Sequence, residues 1–237
     1  MTIELKDPAD TVAPQPIDLH PVQNYTFLNT SVQPEEDSSV AERMRRLQDQ
    51  YDETGMRRSV DAVIVCHDHG VPCIFTFQIA NDFFKLPGGY LDPSEDDVEG
   101  ISRLLEEFLG TGSKQWRSDQ PNWTVRSLLA VWYRPNFDGF FPAHVSMPKE
   151  CRKIFLVTMA PEQMLGVPLN MKLLAIPIHE FYDNTQRYGP QLSAIPHLLS
   201  RRGQCGDKGT STVASTVRPI VPAYAVDQVV RGPSRRA

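Results

Sequence analysis

The chain has 237 residues, 41% of them hydrophobic, with a formal net charge of −5. That length supports one sizeable domain with tails, and that charge excludes a polycationic surface, so any nucleic-acid binding must rest on local contacts. Cys66, Cys73, Cys151 and Cys205 form no C-x-x-C pair and no zinc spacing, no leader pattern opens the chain, and no apolar run spans a bilayer; reduced thiols are expected, with no membrane partner.

In chain order, residues 1–22 carry Pro8, Pro14, Pro16 and Pro21 and read as a flexible N-terminal arm. Ser38 or Ser39 opens a helix through about Tyr51, with Val40, Met44, Leu47 and Tyr51 on one face and Arg43, Arg45 and Arg46 round the rest; Gly55 stops it. Val60–Cys66 and Val71–Ile79 are rich in β-branched and aromatic residues and predict a hairpin around His67-Asp68-His69-Gly70. The His67-x-His69 pair has no third ligand nearby, so a turn is favoured over a metal site. Asn81–Leu86 is a short extended piece leading into a Pro87-Gly88-Gly89 loop.

A helix follows in which Val98, Ile101, Leu104, Leu105 and Phe108 recur at helical spacing, with Ser94 as its expected cap and Gly110 as its stop. Leu128–Tyr133, Lys153–Met159 and Lys172–Ile178 are further strand candidates, and short helices are expected near His179–Tyr182 and Leu192–Ser200. The domain is expected over 23–202, and 203–237 turns to Gly, Ser, Thr and Pro without periodicity, as disordered tails do. Mixed strands with flanking helices point to an α/β or α+β sandwich.

The stretch Gly89 to Gly110 carries a phosphohydrolase pattern that resembles the Nudix box, G-x5-E-x7-R-E-U-x-E-E-x-G. Gly89, Glu95, Arg103, Leu105, Glu107 and Gly110 stand at the required spacings. Leu104 and Phe108 stand where two of the three glutamates of the metal-binding turn belong. Mg²⁺ wants oxygen ligands in near-octahedral geometry, and box carboxylates at i, i+3 and i+4 meet on one side of a helix. Glu106 does not substitute, being roughly 100° round the helix from Glu107. One carboxylate of the triad with Glu95 is a poor cage, so neither a metal nor another cofactor is expected, and no catalytic residue is assigned.

The wider resemblance is specific. Asp37-Ser-Ser-Val-Ala41, Gly55-Met-Arg-Arg58, Phe83-Phe-Lys-Leu-Pro-Gly-Gly89, Glu95 to Gly110, Tyr133-Arg-Pro-Asn-Phe137, Pro142-Ala-His144, Tyr182-Asp-Asn184 and Tyr188-Gly-Pro190 occur in this order. Together they resemble the small Nudix-fold subunits of pre-mRNA cleavage factor I, over roughly residues 15 to 202. The resemblance implies an α/β/α sandwich with a mixed central sheet. It implies a nuclear, homodimeric, non-hydrolytic protein that binds single-stranded RNA at a UGUA element. A larger RRM-containing cleavage factor I subunit and other 3′-end processing factors would be its partners in cleavage and polyadenylation.

The RNA-binding residues that the resemblance implies are Arg43, Phe83, Phe84, Glu35, Asp61, Leu86, Tyr188 and Gly189. Single-stranded RNA is read by stacking bases on aromatic or guanidinium planes and by hydrogen bonds to their edges. Adjacent residues in a strand point to opposite faces, so Phe83 is favoured for stacking and Phe84 for packing or backbone contact. Arg43 has the planar fork that suits paired base acceptors. Glu35 and Asp61 match acidic positions that accept from base N–H groups, although Asp61 is shorter than the family's usual glutamate. Taken without the resemblance, the Phe pair reads as core, Arg43 as a solvated helix face and Tyr188 as a turn residue. Lys149, Arg152 and Lys153 fit either a phosphate contact or a solvated strand end. Two other readings stand beside RNA binding: a residual hydrolase of nucleoside diphosphate compounds, and a scaffold that binds a dinucleotide without cleaving it.

Overall fold

Strand β2 (Arg57–Asp68) organises the molecule, because its run from Ser59 to Cys66 is buried on both faces. Strands covered on both sides read as continuous apolar runs, and the alternation of β2 deals its side chains to two cores. Val60, Ala62, Ile64 and Cys66 join one cluster, while Val63 and Val65 join another. The computed structural model describes residues 17–34, 37–79, 82–111, 123–134 and 148–204. Residues 17–201 form one compact unit.

β2 turns through His69 and Gly70, both at positive φ, into β3 (Val71–Ile79), the hairpin expected from the sequence. Its other edge pairs in parallel with β7 (Glu150–Met159), which pairs antiparallel with β6 (Trp123–Arg134). β3 also pairs with β4 (Phe83–Lys85) and β9 (Met171–Pro177), and β5 (Gly88–Tyr90) pairs with β2 at Ser59–Asp61. The described residues thus build a seven-stranded mixed sheet. A second, two-stranded sheet joins β1 (Tyr25–Thr30) in parallel to β8 (Gln163–Pro168). Neither β1 nor β8 was expected as a strand. Their pairing spans more than 130 residues, and a local pattern carries no sign of such a partner.

Helix α2 (Asp97–Leu109) seals the first core with Ile101, Leu104, Leu105 and Leu109. Burying side chains of this size contributes roughly 1.5–3 kcal/mol each. The second core is sealed by α3 (Ile178–Phe181), α4 (Thr185–Ser193) and α5 (Ile195–Gln204), through Phe181, Tyr188, Leu192 and Ile195. This is the α/β/α sandwich. Helix α1 (Val40–Thr54) begins where expected: the Ser39 hydroxyl accepts from the Glu42 N–H, and Gly55 closes it.

Three expectations are corrected. Asp96, not Ser94, caps α2, because its carboxylate accepts from the Val98 N–H. The helix expected near Leu192–Ser200 is α5, and ahead of it stands an unexpected helix, α4, bent at Gly189 and Pro190 into two pieces. Residues 17–22, assigned to the flexible arm, lie along β2: Pro21 bridges His67, and Ile17 and Leu19 pack on the second core. Helix α5 runs to Gln204; the rest of the tail lies outside the described residues, as do residues 1–16.

Candidate nucleic-acid interface

The box frame is built and then filled with carbon. Glu95 takes both arms of the Arg103 fork at 2.7 Å, and that hydrogen-bonded pair holds its carboxyl down at about 2. Arg58 donates to the carbonyls of Asp92, Pro93 and Glu95, fastening the loop to the sheet. Leu104 is buried in the first core, and its Cδ2 comes within 3.1 Å of where a Cβ on Gly89 would stand. Phe108 lies against the same glycine and against Phe77. Glu107, the surviving carboxylate of the turn, accepts from Gln33 at 3.0 Å and lies 3.7 Å from Arg103. A lysine ammonium, Lys85 Nζ, stands 4.6 Å from the centre of the Phe108 ring. Burial lowers the Lys85 pKa, and Asp61 and Glu107 partly oppose this.

Strand β4 divides its aromatic pair between the two faces of the sheet. Phe83 is 62% exposed. Its strand neighbour Lys85 is paired with Phe77 of the first core, which places Phe83 and Lys85 on the box-helix side. Phe84 turns to the other side and meets Tyr188 edge to face, with centroids 4.9 Å apart. Tyr188 is buried, packs on Phe181 at 4.8 Å and donates its hydroxyl to Glu180 Oε2 at 2.7 Å. Burial, with help from Glu180, pushes the Tyr188 phenol up to about 12. Leu86 is buried in the same cluster. Gln78, Asp82, Phe84, Gln186 and Arg187 line a half-open groove of about 440 Å³ between the strand edge and α4.

Two glycines make this arrangement possible. Gly88 has φ +150, and a Cβ there would meet the Val60 carbonyl oxygen at 2.2 Å, so only glycine lets β5 close on β2. Gly189 has φ +77 with open space around it; the requirement there is conformational, since it makes the bend between the two pieces of α4.

Asp61 lies where β3 and β5 part along β2. It is 1% exposed, and its carboxylate takes Arg152 Nε at 2.5 Å, Arg152 Nη2 at 3.1 Å and Gln191 Nε2 at 2.7 Å. Burial works against the Arg152 charge, and Asp61 outweighs it, raising the arginine pKa. Nearby, Ser59 donates to Glu150 at 2.5 Å and Arg134 pairs with the same carboxylate at 3.2 Å.

The structure therefore brings Phe84, Leu86 and Tyr188 into one apolar cluster, sets Phe83 and Gly189 beside them in sequence, and ties Asp61 to α4 through Gln191. Arg43 is exposed in the first part of α1, with no side-chain acceptor and no ring contact to this group among the described residues. Glu35 lies outside the described residues. Sequence reasoning gave no role to Gln191, Gln78, Gln186 or Arg187 and left Arg152 undecided. Only the register Ser59↔Arg152 and the return of α4 over β2 make these residues neighbours. No short motif carries that signal.

The three-layer fold and the box frame from Gly89 to Gly110 define a Nudix-type domain, and a family model, NUDIX_2, described as a nucleotide hydrolase, matches residues 15–202. The chain is 41% identical over 191 residues to pre-mRNA cleavage factor Im 25 kDa subunit 2 of Arabidopsis thaliana, covering 79% of this chain and 94% of that protein. It is 36% identical over 196 residues to subunit 1 of the same plant, covering 81% and 87%. It is 40% identical over 172 residues to cleavage and polyadenylation specificity factor subunit 5 of Dictyostelium discoideum, covering 70% and 84%. The chain belongs to the Nudix-fold family of cleavage factor Im 25 kDa subunits.

Proposed function

We propose that this chain acts in pre-mRNA 3′-end cleavage and polyadenylation as the non-catalytic, RNA-binding subunit of a cleavage factor I complex. Its ligand is single-stranded RNA carrying UGUA. The relatives' names support the process, and one feature of the site supports RNA: Phe83 offers its ring to solvent from a paired strand while Phe84 is packed. An aromatic held this way is a stacking platform that loses little conformational freedom when a base covers it.

The polar groups that would read base edges come from α1, β2 and α4 rather than from this strand. Arg43, Tyr188 and Gly189 border the RNA in this reading, Leu86 supports Phe84, and Glu35 accepts from a base N–H as the family resemblance implies. Asp61 belongs to the site as well. Leu104 and Phe108 stand in place of the carboxylates that hydrolysis needs, and the frame around them serves as scaffold. Homodimerisation, an RRM-containing partner and a nuclear location belong to the same proposal.

The test is a binding titration of a UGUA oligonucleotide against a scrambled one of equal length. Tighter binding of UGUA is expected, and equal affinities would overturn the reading. Incubation with Mg²⁺ or Mn²⁺ and a panel of nucleoside diphosphate compounds tests the hydrolase alternative. Turnover that disappears in Glu107→Gln would establish that alternative and sink the non-catalytic one.

A further inference from the structure

The family resemblance makes Asp61 a base acceptor, and its geometry leaves it little to accept with. One carboxylate oxygen is shared between Arg152 Nε and Gln191 Nε2. The other takes Arg152 Nη2 and lies 2.9 Å from where a Cβ on Gly88 would stand. Arg152 is in the opposite situation. Its side chain keeps 23% of its exposure, and its Nη1 has no acceptor among the described residues. A guanidinium held along one edge by a carboxylate still has donors to offer along its other edge.

We propose that Arg152 reads a base of the bound RNA, donating from Nη1 to a carbonyl oxygen or ring nitrogen, and that Asp61 and Gln191 are positioning residues that aim it. The assignment rests on the RNA-binding reading. A base acceptor is favoured over a phosphate because the Asp61–Arg152 pair carries no net charge. Such a pair attracts a polyanion weakly, yet its N–H groups keep a fixed direction, and direction is what discriminates between base edges. Gln191 lies two residues past the kink at Gly189. The aim of Arg152 is therefore coupled to the α4 segment that carries Tyr188 and Gly189.

The test is a double-mutant cycle on the full chain with Arg152→Lys and Asp61→Asn, titrated against UGUA and scrambled RNA, with a thermal melt of each variant. Arg152→Lys keeps a cation for Asp61 and removes the fork. It is expected to weaken UGUA binding by about tenfold, as losing one base contact does, with less than about a twofold change on scrambled RNA. Asp61→Asn is expected to reproduce that loss, and the double variant to be no worse than either single one.

Equal losses on both RNAs would make Arg152 a phosphate contact and overturn the assignment. A full effect of Asp61→Asn with none from Arg152→Lys would return base reading to Asp61. Should Asp61→Asn fail to melt cooperatively, the Arg152→Lys comparison alone decides. A parent protein that does not distinguish the two RNAs overturns the RNA reading itself, and the assignment with it.

Discussion

Helices α2 and α4 cover opposite faces of the same strand, β2, and they treat polar groups in opposite ways. On the α2 side the carboxylates that remain are engaged at the rim with Arg103 and Gln33, and Leu104 and Phe108 turn the interior to carbon. On the α4 side a charged pair, Asp61–Arg152, is kept in the interior and tied to the helix by Gln191. Burying charge costs free energy even when it is paired; the α4 side holds Asp61 at 1% exposure against its arginine, whereas the charged groups of the α2 side, Lys85 and the Asp97–Lys153 pair, stay partly exposed. The margin between the faces, β4, carries Phe83 toward one and Phe84 toward the other. Stacking surface comes from the first side in this reading, and directed hydrogen bonds come from the second.

The sharpest way to break the contrast is to put charge back on the carbon side. Leu104→Glu restores a box carboxylate in the first core, and about 3 kcal/mol or more of stability should be lost. Urea unfolding measures it; a midpoint unchanged from the parent would show that this face is not a core. Phe83→Ala should weaken UGUA binding by about 1–3 kcal/mol while stability moves by no more than about 0.5 kcal/mol, as for an exposed side chain. The reverse pattern, lost stability with intact binding, would assign Phe83 to the core.

Tyr188→Phe removes the hydrogen bond to Glu180 and should cost about 1–2 kcal/mol, read as a lower melting temperature. An unchanged melt would mean that the polar contacts of the α4 side are incidental.

The smallest effect concerns the rim pair. Glu95 is held at about 2, below the ordinary 4.5, by Arg103. Its folded pKa is depressed, so its contribution to stability is present above the ordinary value and is lost as pH falls through about 2. Stability measured between those limits should decline with acid, and Glu95→Gln should flatten that decline. An identical slope in both proteins would show that the pair contributes nothing to the fold.

Much of this was legible locally. The Ser39 cap, the Gly55 stop, the hairpin turn at His69-Gly70 and the apolar stripe of α2 are written within a few residues of where they act. The Phe83/Phe84 division follows from strand alternation once β4 is placed. The α2 cap at Asp96 was misread because Ser94 and Asp96 both offer a side-chain oxygen before the same helix, and only the path of the loop chooses between them. Strands β1 and β8 went unseen because each is short and has its partner far away in the chain. The bend in α4 was hidden because Tyr188-Gly189-Pro190 reads as a turn, while the flanking residues are helical.

By itself the sequence determined the family, the broken box and the identity of the exposed aromatic, because spacing and residue type at neighbouring positions suffice for each. Tertiary structure alone decided what Asp61 faces. A carboxylate on a strand has no partner until β7 brings Arg152 alongside and α4 folds Gln191 over it. Those contacts span 91 and 130 residues, and they are made only when both cores close.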